Sequence, residues 1–281
     1  MSISSFHTHT RLCKHASGDP VDYVRVAAAE GCRALGFSDH CPYPDGTWQG
    51  SRMAPGDVGL YARLVEEARA VADFPVYGGF ECEWWPAYRS WYADYLRGEL
   101  GAEYLVYGSH WVDTADGFQY IAEVSDRRLL ARYVDLTVEG VSSGLYDFFA
   151  HPDLFLAGFT ALDAEVRAAC VAIVDAAVSA GLPLEVNGLG LQRPWIAGDS
   201  GPRAPYPVRE FWEIAAERGA KIIYNSDAHR SEDVLRSATR ALEFARSFGL
   251  AVEDPADVLG FLSEAPSTSP GGCPSPRARS S

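Results

Sequence analysis

Short apolar runs alternate with longer amphipathic stretches along almost the whole chain. Runs at 3–6, 33–37, 75–80, 103–107, 146–150, 183–186 and 221–224 have strand length and are rich in aliphatic and aromatic residues. Between them, 20–30, 57–71, 126–141, 163–180, 207–218 and 231–248 carry helical spacing, and a further helix is expected through Trp91 and Leu96. Asp19 and Pro20 supply an N-cap and a first helical residue, while Gly31, Gly181 and Gly219 stand where helices stop. Seven strand–helix units imply a parallel sheet with right-handed crossovers. No two-part division is visible. The expected fold is therefore α/β: a distorted (β/α)7 TIM-like barrel, closed or nearly so. An open doubly wound sheet is the alternative, but it would not gather all strand ends around one point. The barrel domain is expected over 1–263, and the Ser/Pro/Gly-rich stretch 264–281 reads as a disordered tail.

Polar residues interrupt this pattern at one kind of place. In such a barrel the C-terminal strand ends form one mouth, where active sites sit. His7 and His9, Asp39 and His40, Glu81, His110, His151, Asn187, and Asp227 with His229 all fall at or just past those ends, and His15 follows in the first loop. These are all seven histidines of the chain. The i, i+2 spacing of His7/His9 and of Asp227/His229 puts each pair on one face. Mixed imidazole and carboxylate donors suit first-row transition metals. A carboxylate ending a buried strand, such as Glu81, needs a partner, and a bridged cation would satisfy it. Singly, each feature has a plain structural reading: a turn at His151-Pro152, a helix cap at Asp39 or Asp227, an exposed loop residue at His15. Together, at one barrel mouth, they point to a multi-metal site.

Composition adds constraints. A chain of 281 residues with 47% hydrophobic content suits one barrel domain. No apolar run reaches the length of a membrane span, and the N-terminus shows no secretory pattern. Six cysteines form no CxxC pair, which fits small buried residues in a reducing cytoplasm. A net charge of −14 disfavours a nucleic-acid groove. Bound divalent cations would reverse that field locally, so the charge does not exclude a phosphate ester. The expected partner is a small molecule, with no nucleic acid and no membrane.

Several stretches now match a known pattern. They are His7-Thr8-His9-Thr10 with His15, Leu35 through Pro42 with Ser38-Asp39-His40-Cys41, Gly79-Phe80-Glu81, Gly108-Ser109-His110, His151-Pro152-Asp153-Leu154, Glu185-Val186-Asn187 and Asn225 through His229. In these the chain resembles the PHP (polymerase and histidinol phosphatase) superfamily, most closely its histidinol-phosphate phosphatase branch, from His7 to about Val234. Phe6 departs from the family, which often has an acidic residue before the first histidine.

The resemblance implies three divalent transition-metal ions, zinc, iron or manganese. His7, His9, Glu81 and Asp227 would hold the first. Glu81 would bridge to a second held by His110 and His151, and His15, His40 and His229 would hold the third. Such metals lower the pKa of bound water and neutralise phosphate charge, so no protein nucleophile is required. Glu81, Asp227 and Asp39 are the candidate catalytic carboxylates, with Asp39 orienting a ligand or giving up a proton. Arg193, Arg11 and Asn187 are the candidate substrate contacts, and Arg230 is another nearby cation. Trp48, Trp84, Trp85, Trp111 and Trp195 follow strand ends, as loop packing or as a wall for an imidazole-bearing substrate. The implied reaction is hydrolysis of L-histidinol phosphate in histidine biosynthesis. A phosphodiesterase or nuclease, and a non-catalytic metal-binding scaffold, are the competing functions.

Overall fold

The computed structural model describes residues 2–199 and 201–261. The expected tail, 264–281, lies outside the described residues. Nine strands occur among them: β1 (Ser4–Ser5), β2 (Ala34–His40), β3 (Val76–Cys82), β4 (Tyr104–Gly108), β5 (Trp111–Thr114), β6 (Gly117–Tyr120), β7 (Phe148–Ala150), β8 (Leu184–Asn187) and β9 (Ile222–Asn225). Seven of them form a parallel sheet in the order β1-β2-β3-β4-β7-β8-β9. The helices α1 (Pro20–Ala29), α2 (Val58–Val71), α3 (Arg127–Val141), α4 (Ala164–Ala180), α5 (Arg209–Glu217), α6 (Val234–Arg246) and α7 (Pro255–Val258) complete it, with a π-helical segment at Trp91–Glu99. None is long and apolar enough to cross a membrane.

The sheet curls until its edges meet. Asn225 Oδ1 accepts from the Phe6 amide at 2.6 Å, and the hydroxyls of Ser5 and Ser226 lie 2.8 Å apart. Beyond them the backbone pairs directly at Thr8 and Ala228, with His9 N donating to Ala228 O at 2.9 Å. The ring is thus nearly closed, and side chains do part of the closing.

Alternation along the strands explains both core and site. Inward positions on β4 are Tyr104, Val106 and Gly108; on β2 they run Ala34, Gly36, Ser38, His40. Tyr104, Val106, Ala34, Phe6, Phe148, Ala150 and Ile223 fill the barrel interior. Leu35, Phe37, Leu105, Tyr107, Phe149 and Val186 point the other way, into the layer under the helices. The period of two carries each inward row from an apolar floor to a polar mouth. A Cβ at Gly79 would strike the Tyr104 carbonyl oxygen and come within 2.8 Å of its ring, so β3 must be thin there. Phe6 takes its unusual place in this interior, stacked on Phe261 at 5.2 Å and edge-on to Tyr104 at 5.7 Å.

Some expectations shift. Ser38, Asp39 and His40 belong to β2 rather than following it, and only Ser4–Ser5 of the first run pairs regularly. The hairpin β5–β6 and the short α7, whose Ala256 seals the barrel floor, had no counterpart in the periodicity. Both are too short to build a period.

Candidate metal centre

Glu81 is the hub of the mouth. It is the penultimate residue of β3, with 1% exposure. Its Oε1 lies 3.0 Å from His151 Nε2 and 3.5 Å from Nε2 of both His7 and His110. Its Oε2 lies 2.9 Å from His40 Nδ1 and 3.6 Å from His9 Nε2. Five imidazoles therefore surround one carboxylate. Asp227 is the second anion: its Oδ1 is 3.2 Å from His9 Nε2, 3.5 Å from His7 Nε2 and 3.4 Å from His229 Nδ1. His15 completes the ring of histidines, with its centroid 4.8 Å from that of His229 and 5.1 Å from that of His40. All nine side chains named from the sequence as metal ligands thus converge.

Local backbone geometry makes this convergence available. Asp227 and His151 both sit at positive φ, 52° and 34°. Non-glycine residues pay for that conformation, and such strain clusters at functional sites. Gly108 is the matching relief: a Cβ there would strike Glu81 Oε1 and come within 2.7 Å of His110 Cε1.

Buried partners set the tautomers. Glu185, fully buried on β8, accepts from His7 Nδ1 at 2.9 Å. Glu83 accepts from His110 Nδ1 at 2.7 Å and from its backbone amide at 3.0 Å. Backbone carbonyls of Cys13 and Asp227 take Nδ1–H of His15 and His229 at 2.9 and 3.0 Å. A proton held on Nδ1 leaves Nε2 as a free lone pair. Asp39 Oδ1 approaches His9 Nδ1 to 3.5 Å, while its other oxygen accepts from the Thr10 hydroxyl and amide.

The donor set fits a cation. His7 Nε2, His9 Nε2, His40 Nδ1, His229 Nε2, Glu81 Oε2 and Asp227 Oδ1 are all buried without a hydrogen-bond partner. Each orphan of this kind costs about 1–3 kcal/mol, and shared cations would satisfy them together. Subsets such as His9–His40–His229, His7–His9–Glu81 and His7–His151–Asp227 have donor atoms within 4.8 Å of one another.

Protonation shows the same tension. Burial opposes charge on His7, but Glu185, Asp227 and Glu81 outweigh it and hold its pKa well above the usual value. Burial likewise opposes His9, yet the close carboxylates of Asp227 and Asp39 raise it to about 9. His40 is pushed well below its usual range and His229 down to about 3, first by burial and then by the nearby His9 charge that Glu81 and Asp227 only partly offset. Glu81 and Asp227 stay well below the usual carboxylate range: burial resists this, but the surrounding imidazoles prevail. Without metal, protons on His7 and His9 balance the two ionised carboxylates. Divalent cations compete for the same atoms.

Above the cluster lies a cavity of about 350 Å³. Arg193 lines it, beside Tyr206 and Tyr120. The other expected substrate contacts are not brought there. Arg11 is half-exposed and pairs with Asp19 at 2.7 Å. Asn187 is buried beneath the cluster, donating to Glu185 at 2.7 Å and Asp227 at 3.0 Å, so both its donors are spent. Asp39 lies behind His9, where it can orient that ring but does not line the cavity. Of the five tryptophans only Trp111 lines it, and Trp195 is 69% exposed. Sequence reasoning missed Glu83 and Arg52 as parts of the site, and it quoted Glu185 within a matching stretch without giving it a role. The two glutamates had a signal: each is a charge at an inward position of an apolar strand or its extension. Arg52 had none, since it reaches the cavity from an irregular loop.

A nearly closed seven-stranded α/β barrel with this cluster at its C-terminal mouth is a divalent-metal barrel protein. The chain belongs to the PHP domain family, whose model matches residues 5–188. It is 30% identical over 237 residues to a protein of Deinococcus radiodurans named "Probable histidinol-phosphatase", covering 81% of this chain and 86% of that one. Among solved structures, it resembles histidinol phosphate phosphatase from Lactococcus lactis subsp. lactis, complexed with zinc, L-histidinol and phosphate. That likeness has a TM-score of 0.67 at 16% identity and covers 89% of this chain and 95% of the other, showing a shared fold.

Proposed function

We propose that the protein is a metal-dependent phosphomonoester hydrolase acting on L-histidinol phosphate, giving L-histidinol and phosphate in histidine biosynthesis. The observation that carries this reading is Glu81 among five imidazoles at the floor of a cavity lined by Arg193. The name of the Deinococcus radiodurans relative and the ligands of the Lactococcus lactis structure support the substrate. The cavity volume suits a small ester better than a polymer.

Three ions fit the donor set, as zinc, iron or manganese. His7, His9, Glu81 and Asp227 would hold the first, Glu81 with His110 and His151 the second, and His15, His40 and His229 the third. Bound divalent cations supply Lewis acidity, lowering the pKa of water and neutralising phosphate charge. The protein's own residues do the rest. Arg193 faces the phosphate and offsets its charge. Glu185, Glu83 and Asp39 hold His7, His110 and His9 in place, and Asn187 holds Glu185 and Asp227. The five free buried cysteines of the described residues support a reducing, cytoplasmic setting.

The test couples elemental analysis of purified protein to a phosphate-release screen of L-histidinol phosphate against sugar and nucleotide monophosphates. Bound metal with selective turnover of L-histidinol phosphate is expected. Weak, uniform release across the panel would overturn the substrate assignment. Full turnover by His9→Ala would overturn the metal mechanism.

A further inference from the structure

The hairpin β5–β6 contributes one wall of the cavity above the histidine cluster. Trp111 and Tyr120 are directly opposite each other across its two strands, with ring centroids 5.6 Å apart, and both line the cavity. Tyr120 lies nearly parallel to the His110 ring, at 19° and 6.4 Å. The aromatic face therefore begins where the imidazole cluster ends. Leu154, Leu189 and Tyr206 line the cavity as well, so the wall continuing from the hairpin is largely apolar while the floor is charged.

This wall is braced along the length of the hairpin. Trp48 stacks against Trp111 at 6.2 Å and 22°, and packs on Phe118 at 4.6 Å. Trp85 meets Phe118 edge-on at 5.2 Å. The hairpin is tied down at its base, where Ile121 N donates to His110 O at 2.8 Å. It is also tied on its flank, where Arg132 makes two bonds to Asp113 at 2.7 and 3.2 Å. A face held on three sides keeps its ring positions without a substrate, which lowers the ordering cost of binding.

We infer that Trp111 and Tyr120 are the specificity-determining residues of this cavity, selecting an ester whose alcohol carries a flat unsaturated ring. The inference rests on the phosphatase reading above and deepens it. With the phosphoryl group on the charged floor beside Arg193, the ring of the ester meets the largely apolar wall that continues from Trp111 and Tyr120, while Ser51 and Arg52 leave polar groups on the remaining wall. A planar ring can lay one face against the wall that Trp111 and Tyr120 form side by side. A methyl group in its place leaves most of the aromatic face wet and gains little from it. Aromatic stacking of this kind amounts to about three- to tenfold in affinity.

The experiment compares L-histidinol phosphate with L-alaninol phosphate, which lacks only the ring. The ratio of kcat/KM between them is measured for wild type, Trp111→Leu, Tyr120→Leu and Tyr120→Phe. Both leucine variants should lower the ratio about three- to tenfold, through KM of the ring-bearing ester, and Tyr120→Phe should keep it near wild type. In parallel, calorimetry of the free alcohols L-histidinol and L-alaninol reads the wall without turnover. Equal losses for both esters, or an unchanged ratio, overturn the inference while leaving the phosphatase reading intact. If wild type turns over neither ester but Trp111→Leu still loses its preference for L-histidinol, the wall stands and the phosphatase reading falls.

Discussion

The carboxylate of Glu185 accepts from His7 Nδ1 at 2.9 Å, and neither side chain has any exposure to solvent. Glu185 also receives the amides of Asn187 and Asn225, at 2.7 and 3.0 Å. One buried carboxylate thus ties the first strand of the barrel to the last two, and sets the ring that faces Glu81 and Asp227. Replacing it with glutamine keeps the shape but removes the charge and allows the wrong His7 tautomer. Glu185→Gln should weaken metal binding by about 10- to 100-fold, read as metal content after dialysis against graded chelator. Unchanged metal retention would mean that His7 needs no such partner.

Gly108→Ala tests the tightness of the Glu81 pocket. The added methyl meets Glu81 Oε1 and His110, and neither can retreat without leaving the cluster. Metal content and turnover should both fall sharply, whereas far-ultraviolet circular dichroism should stay that of a folded barrel. Wild-type activity would show that Glu81 has room to move.

The two arginines named from sequence should now separate. Arg193 lines the cavity, while Arg11 is paired with Asp19 at the surface. Losing a charge-assisted hydrogen bond costs about 1.5–3 kcal/mol, or roughly 10- to 100-fold. Arg193→Met should weaken inhibition by inorganic phosphate by about that factor. Arg11→Ala should leave the inhibition constant within about twofold, as expected for an exposed pair. The reverse order would move the phosphate to the other side of the mouth.

Metal removal should expose a pH dependence that metal conceals. His9 stands at about 9 in the folded protein, against its usual 6.5. Its stabilising contribution is complete below the unfolded value and is lost as pH rises through 9. His229, held at about 3 by burial and then by neighbouring charge, acts in the opposite sense. Its contribution is present above about 6.5 and is lost as pH falls towards 3. The melting temperature of chelator-treated protein should therefore peak near neutrality and decline on both sides. Added zinc or manganese should raise it and flatten the alkaline limb. A flat profile without metal would place these histidines in solvent.

Much of the barrel and most of its mouth were legible in the chain. Short apolar runs and period-3.6 patterns marked seven strands and the long helices, because a strand buried on both faces reads as a continuous apolar run and a helix buries one face. The histidines, Glu81 and Asp227 stood out because polar residues at the ends of apolar runs recur in every unit. What the pattern could not carry was direction beyond the strand ends. Arg11 and Arg193 are both loop arginines near ligands, and only the fold turns one inward and pairs the other with Asp19. Asn187 looked like a substrate contact until its two donors were found on Glu185 and Asp227.

The sequence by itself determined the architecture and the donor chemistry, since both are written in residue type and spacing. Tertiary structure alone decided which side chains face the cavity, which stand behind the ligands, and what closes over the mouth. Glu83 and Glu185 became positioning residues through contacts 27 and 178 residues away in the chain. The β5–β6 hairpin acquired a surface only because Trp48 and Trp85, from other loops, brace it. Such relations depend on distances between segments that no local period encodes.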